Sequence, residues 1–210
     1  QAKDILSEEY YKAGLGFYGT GIGFDQPEAL DNRLLGIIKD NPDGFTVDPD
    51  SLESVSSGIA VAPVKAAEIR VKPENLNEEL LYQYAEYLYI MSQLSKTKMF
   101  AGGWFNKKTK ENPKGDNLFY LDATMVVDDF ADALYIGEAA EQKAIFNLST
   151  FEETVTTDGI KRLQETGAYD SKRRAERQRD IRKLTQEFKK TRYQRQAEQK
   201  SRISSPTRIE

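Results

Sequence analysis

Residues 66–148 contain strand-like and helix-like segments in an order that few folds share. The segment "AAEIRVK" (66–72) alternates, with Ala67, Ile69 and Val71 on one face, as expected for a strand. The segment "NEELLYQYAEYLYIMSQLSK" (77–96) has apolar residues at helical spacing, follows a good N-cap and has glutamates in its first turn. A strand followed by a helix is therefore predicted at the start of this region.

The rest of this region predicts two more strands, a second helix and a last strand. "MFAGGWF" (99–105) and "LFYLDATMVV" (118–127) are typical of strands, and the polar segment 106–117 between them is predicted to be an exposed loop. Asp128 or Asp129 is expected to cap a helix in "FADALYIGEAAEQ", and "AIFNL" (144–148) closes the series as a short strand.

The resulting order β-α-β-β-α-β predicts an α+β fold, specifically the ferredoxin-like arrangement of a four-stranded antiparallel sheet with both helices on one face. The segment "SGIAVAP" (57–63) either adds an edge strand or only leads in. The predicted organisation is an N-terminal arm (1–57), a ferredoxin-like domain (58–150), and a linker with a basic helical tail (151–210).

The N-terminal arm contains a literal G-x-G-x-x-G pattern at Gly14, Gly16 and Gly19. In a dinucleotide-binding loop this pattern follows a strand and opens a helix. Here the preceding residues have helical spacing, and further glycines and Pro27 follow before any helix can begin. The glycines are therefore interpreted as a hinge or irregular loop, and no cofactor is predicted.

Charge is distributed very unevenly along the chain. Residues 161–210 carry a net charge of +9, whereas the first 160 residues carry −13. An acidic body with a basic tail is typical of a protein that uses the tail as an interaction arm.

The tail itself is predicted to form a long polar helix from about Ser171 to Ser201. Its apolar stripe is too thin for a core helix, so the helix is expected to project outward or to become ordered only against a partner. Replacing Leu184 and Phe188 with serine should then weaken assembly and leave the melting of the body nearly unchanged. The predicted partner-binding residues are Ile181, Leu184 and Phe188, which dock into a neighbour, with Arg173, Arg174 and Arg177, which face acidic groups or solvent.

The chain has no cysteine and no histidine, which excludes disulfides, thiolate nucleophiles, imidazole metal sites and Ser–His catalysis. Asp122, Asp128, Asp129 and Asp132 could form a magnesium-type site, but capping and solvation explain them better. For a third hypothesis, that the chain is an enzyme, the best candidate catalytic residues are Asp122, Asp128 and Tyr120. No catalytic, cofactor-binding or metal-binding residue is predicted.

Residues 44–153 contain "GFTVD", "SGIAVAPVKAAEIRV", "AGGWF", "YLDATMVVDD" and "AEQKAIFNL" before an acidic "FEE". With these motifs the region resembles a module of bacteriophage and mobile-element proteins, including polyvalent and capsid-associated proteins. The resemblance implies a phage origin and a place in or on the particle, without an established activity. The positions that match the pattern are expected to define the fold; they are Gly58, Gly102, Gly103, Trp104, Asp122, Gln142 and Ile145.

Two functions are therefore expected. The first is a non-enzymatic virion structural or accessory protein that contacts other virion proteins through its arms in an assembly of multiple copies. The alternative is a DNA-associated internal virion protein whose basic tail contacts the packaged genome without sequence preference. Both place the protein in the phage particle, and in the host cytoplasm during assembly, and no apolar run is long enough to span a membrane.

Overall fold

The computed structural model of the chain describes residues 27–204, which form five α-helices, seven β-strands and two short 3-10 turns. The helices are α1 (Pro27–Asp40), α2 (Glu78–Leu94), α3 (Phe130–Ala139), α4 (Thr156–Thr166) and α5 (Ser171–Ser204). The strands are β1 (Gly44–Val47), β2 (Ile59–Val61), β3 (Ile69–Val71), β4 (Met99–Asn106), β5 (Leu118–Val127), β6 (Ala144–Asn147) and β7 (Glu152–Val155). The fold class is α+β, with a curled antiparallel sheet and a long C-terminal helix, and the predicted central helices and strands are present.

The strands pair in the order β1-β4-β5-β2-β6-β7, and β3 also pairs with β5. β2 pairs with the end of β5, from Ile59 opposite Val127 to Val61 opposite Met125, and it pairs with β6 on its other side. The segment expected to be an edge or a lead-in therefore forms an interior strand. β2 has only three residues, too few for the alternation from which strands are recognised in sequence.

The described residues divide into two compact units. The first draws on residues 27–55, 68–89 and 100–122, and the second on 56–67, 90–99 and 123–204. β5 contributes its first half to one unit and its second half to the other.

In the first unit β1 pairs with β4 without a bulge, from Gly44 opposite Trp104 to Val47 opposite Ala101. Gly103 allows this close packing, because a Cβ atom there would lie 2.6 Å from the Phe45 ring and 2.8 Å from the Phe119 ring. The hydroxyl of buried Tyr84 in α2 donates to backbone carbonyls of the sheet, 2.9 Å from that of Asp122 and 3.1 Å from that of Gly102. These contacts join the helix to the strands of this unit.

In the second unit the core surrounds α3, which packs against β2, β6, α4 and α5. Gly159 lets α4 approach closely, because a Cβ atom there would lie 2.4 Å from a methyl group of Leu134. One cluster of buried core residues in this unit comprises Ile59, Val61, Ala133, Leu134, Tyr135, Ile136, Ala140, Ile145, Ile160, Leu163 and Ile181.

The first half of α5 belongs to this core, which contradicts the expectation of a projecting arm. Ile181 is 4% exposed and lies in the core cluster, Phe188 is fully buried, and Leu184 is half-buried. The apolar stripe of α5 is thin, but ion pairs between α5 and α3 add to the contact that its apolar side chains make. The projecting-arm expectation is therefore wrong for residues 171–188.

Candidate functional site

Asp129 and Asp170 cap α3 and α5, the two helices that ion pairs join in the second unit. The Asp129 side chain accepts from the backbone N–H of Asp132, 2.9 Å away, and so caps α3. Asp170 caps α5 in the same way, accepting from the backbone N–H groups of Lys172 at 2.9 Å and Arg173 at 3.0 Å. The Tyr135 hydroxyl accepts from the backbone N–H of Asp170 at 2.7 Å, which fixes the start of α5 against α3.

Arg173 and Arg177 of α5 share the carboxylate of Asp132, whose side chain is 16% exposed. Arg173 donates through Nε to Oδ1 at 2.8 Å, and Arg177 donates to the two carboxylate oxygens at 3.0 and 3.1 Å. Burial favours the neutral acid, but the hydrogen bonds from the two guanidinium groups outweigh it and lower the pKa of Asp132.

Arg174 makes a two-pronged contact with Glu138 of α3. Its Nε lies 2.6 Å from Oε2 and its Nη2 lies 2.8 Å from Oε1. This geometry is the strong form of an arginine–carboxylate pair. The structure therefore brings the three predicted arginines together, but their partners are acidic groups of the same unit.

The six predicted partner-binding residues thus lie on the part of α5 that packs within its own unit. Partner binding through Ile181, Leu184, Phe188, Arg173, Arg174 and Arg177 stays a prediction, and it would require α5 to leave this packing. The sequence pointed to Asp129 as a candidate cap and to Asp132 within a group of acidic residues, but not to either as a partner of the arginines, because their distance from the arginines depends on how the helices pack.

The outward face of α5 carries several basic side chains between Arg179 and Lys190. The exposed side chains include Arg179, Arg182, Lys183, Lys189 and Lys190, and Tyr193 is 75% exposed. Residues 189–204 carry a net charge of +5. This surface can attract an acidic protein surface or a nucleic-acid backbone.

A second group of polar side chains lies on one face of the sheet in the first unit. Arg70 is opposite Tyr120 in the β3–β5 register, which places Glu68 and Asp122 as the next pair on the same face. Arg70 forms an ion pair with Glu68 and lies 5.0 Å from the centroid of the Tyr120 ring. Trp104 stacks on Tyr120 with 4.7 Å between ring centroids.

Asp122 is the buried acid of this group. Its side chain is 6% exposed, and its Oδ1 has no hydrogen-bond partner. Burial and the neighbouring Glu68 carboxylate raise the pKa of Asp122 to about 8, against the opposing effect of Arg70. A carboxyl group with this pKa is protonated at neutral pH and can donate a proton or a hydrogen bond.

Tyr120 is the second perturbed group on this face. Burial and its hydrogen bond to Asp116 raise the pKa of Tyr120 to about 12, so it remains a neutral phenol at neutral pH. The sequence pointed to Asp122 and Tyr120 but not to Glu68 or Arg70, since only strand register places them beside Asp122.

The acidic residues considered for a magnesium-type site have other structural roles or are exposed. Asp129 and Asp132 bind arginines of α5, and Asp128 is exposed. Within residues 27–204, no group of three or more acidic side chains could hold a metal ion. The glycine pattern at Gly14, Gly16 and Gly19 lies outside the described residues.

The part of the chain that the structure describes contains no helix long and apolar enough to cross a membrane. In comparisons with known proteins, no protein-family model, no curated protein and no solved structure matches this chain.

Proposed function

We propose that this chain is a non-enzymatic structural or accessory protein of a bacteriophage particle, present in multiple copies and in contact with other virion proteins. The observation that carries the proposal is the division of α5 into a buried and an outward-facing part. Its first half is held by Ile181, Phe188 and three arginine pairs, while exposed Lys189, Lys190 and Tyr193 follow. A helix anchored at one end gives a contact surface without a large entropic cost on binding.

The sequence features that support the particle assignment are the resemblance of residues 44–153 and the lack of cysteine and histidine. The proposed location is the virion, after assembly in the host cytoplasm. The buried Asp122 is interpreted as part of the fold, because a side chain that is 6% exposed has little access to a substrate.

Mass spectrometry of purified particles tests this proposal. The particles are banded by density from the lysate of a phage that carries the gene. Peptides of this chain should be present at a fixed ratio to the major capsid protein and should survive high-salt washing. Abundant chain in the lysate but none in the banded particles would contradict the proposal.

A second candidate function is contact with the packaged DNA, favoured by the row of exposed basic side chains on α5. Duplex DNA should then bind with a steep negative slope of log K against log[salt], since each phosphate contact releases counterions. The test compares the full chain with a chain that ends at residue 188, which keeps the buried Ile181 and Phe188 and removes the part of α5 that follows them. If full-length and shortened chains bind equally weakly at every salt concentration, the DNA hypothesis is wrong.

For the finer fold we propose a ferredoxin-like arrangement whose first strand is interrupted. β2 and β3 pair with successive stretches of β5, so the two together take the place of one first strand. β6 pairs with β2, and α2 and α3 occupy the two helical positions of the β-α-β-β-α-β order. An experimental structure in which β2 or β3 does not pair with β5 would contradict this arrangement.

A further inference from the structure

The hairpin of β6 and β7 exposes apolar side chains. Of the four large hydrophobic residues that are exposed within 33–198, three lie on or beside it: Phe146 at 37%, Phe151 at 78% and Val155 at 45%. Ile145 is buried, so the next residue, Phe146, lies on the outer face of the hairpin together with Val155. Clustered exposed apolar side chains mark interaction sites more often than scattered ones do.

Phe151 is presented outward by an ordered turn. The Asn147 side chain accepts from the backbone N–H groups of Ser149 at 2.9 Å and Thr150 at 3.1 Å, and the Phe151 N–H donates to the Asn147 carbonyl at 2.9 Å. Phe151 has φ of +59°, a left-handed conformation that favours glycine or asparagine. Leu52 has the same strained φ, but its side chain is half-buried and so packs within the fold. Phe151 combines this strained backbone with an exposed side chain. Folding alone does not account for an aromatic residue at this position.

The charges beside Phe151 define what kind of partner fits. Glu153 is exposed on the outer face of β7 with Phe146 and Val155, and β7 is the last strand of the sheet on this side. Glu152 is also exposed, but it follows Phe151 on the alternate face and accepts a hydrogen bond from the Thr150 hydroxyl. A partner must therefore bring apolar contact together with positive charge.

The outward face of α5 has this composition. Lys189, Lys190 and Tyr193 are exposed, and positions 189 and 193 are neighbours on the helix surface. Both surfaces are exposed within a single copy, so a contact between them joins two copies.

We propose that the β6–β7 hairpin of one copy binds the outward face of α5 of a second copy, with Phe151 against Tyr193 and Glu153 against the lysines. This proposal rests on the proposed function as a multicopy assembly protein. Because the two surfaces differ, the contact is head-to-tail, and it generates a ring if it closes or a filament if it does not.

Sedimentation velocity of the full chain over a range of concentrations and salt tests the contact. Self-association should weaken as salt rises, and Phe151→Asn and Tyr193→Asn should each weaken it by about tenfold or more, as expected for central aromatic residues. A chain that remains monomeric at high concentration and low salt would overturn the proposal.

A charge exchange identifies the surfaces. The variants E152K/E153K and K189E/K190E should each fail to self-associate, and an equimolar mixture should associate again, because each copy then finds an opposite surface on the other. The control K107E/K108E changes two exposed lysines of the first unit and should associate as the unmodified chain does.

Two other results would count against the contact. Failure of the mixture to associate would overturn it, and loss of DNA binding in K189E/K190E without any self-association would assign the α5 surface to a polyanion instead. Absence of the chain from banded particles bears on the proposed function alone, since association in solution is measured independently of particles.

Discussion

A single buried carboxyl, Asp122, makes the stability of the fold depend on pH. Its pKa rises from an ordinary value of 3.8 to about 8 in the folded chain, so the folded state holds a proton that the unfolded state has lost. This group's contribution is fully present below pH 3.8, decreases by up to about 1.4 kcal/mol per pH unit as pH rises, and is lost above about 8.

Asp122→Asn should therefore remove this dependence and increase the free energy of unfolding at pH 8 relative to the unmodified chain. Urea denaturation of both proteins between pH 5 and 9 measures the difference. The two curves should diverge as pH rises; parallel curves would show that Asp122 ionises in the folded chain as it does in the unfolded one.

The backbone of Phe151 gives a second prediction at this scale. Asparagine tolerates the left-handed conformation, so Phe151→Asn should raise the free energy of unfolding by about 0.5–1 kcal/mol, measured by chemical denaturation. Tyr193→Asn is the matched control, because it also removes an exposed aromatic side chain but from an ordinary helical backbone. Destabilisation by Phe151→Asn would mean that the aromatic ring packs within its own chain.

At the scale of elements, α5 is the helix whose packing differs most clearly from what its sequence pattern predicted. Phe188 is fully buried, and its replacement by alanine should cost about 3–5 kcal/mol, as expected for a large buried aromatic side chain. The exposed Lys190 provides the control, since Lys190→Ala should change the melting temperature very little. The sequence alone led to the opposite expectation, that Leu184 and Phe188 could be replaced without effect on the body.

The pairing of α5 with α3 through Asp132 predicts a charge effect. Asp132→Asn leaves Arg173 and Arg177 without their shared carboxylate and should lower the free energy of unfolding by about 1–3 kcal/mol at neutral pH. Because the pKa of Asp132 is lowered, this contribution should be lost as pH falls below the ordinary range of a carboxyl. Asp128→Asn, at an exposed neighbouring position, should have little effect.

At the scale of the whole molecule, local patterns in the sequence predicted the longer elements. α2 and β5 follow from apolar spacing and capping residues, and Asp129 is confirmed as the cap of α3. These features depend on neighbouring residues, which the sequence displays directly.

The features that the sequence did not predict depend on contacts between distant residues. β2 was expected only as an edge strand or a lead-in, and β7 lies in a segment that was interpreted as a linker; both strands are too short to give a clear alternation. Glu68 meets Asp122 only through strand register, and Arg174 meets Glu138 only through helix packing. The acidic body and basic tail were read as separate parts, whereas part of the basic charge is neutralised within the second unit.

α5 folds against its own unit up to Phe188, and exposed Lys189, Lys190 and Tyr193 follow. Hydrogen exchange of the isolated full chain at a concentration where it is monomeric measures this directly. The account predicts that residues 171–188 exchange as slowly as α3, while residues 189–204 exchange much faster. Fast exchange along the whole of 171–204 would contradict the account and restore the picture of a projecting arm.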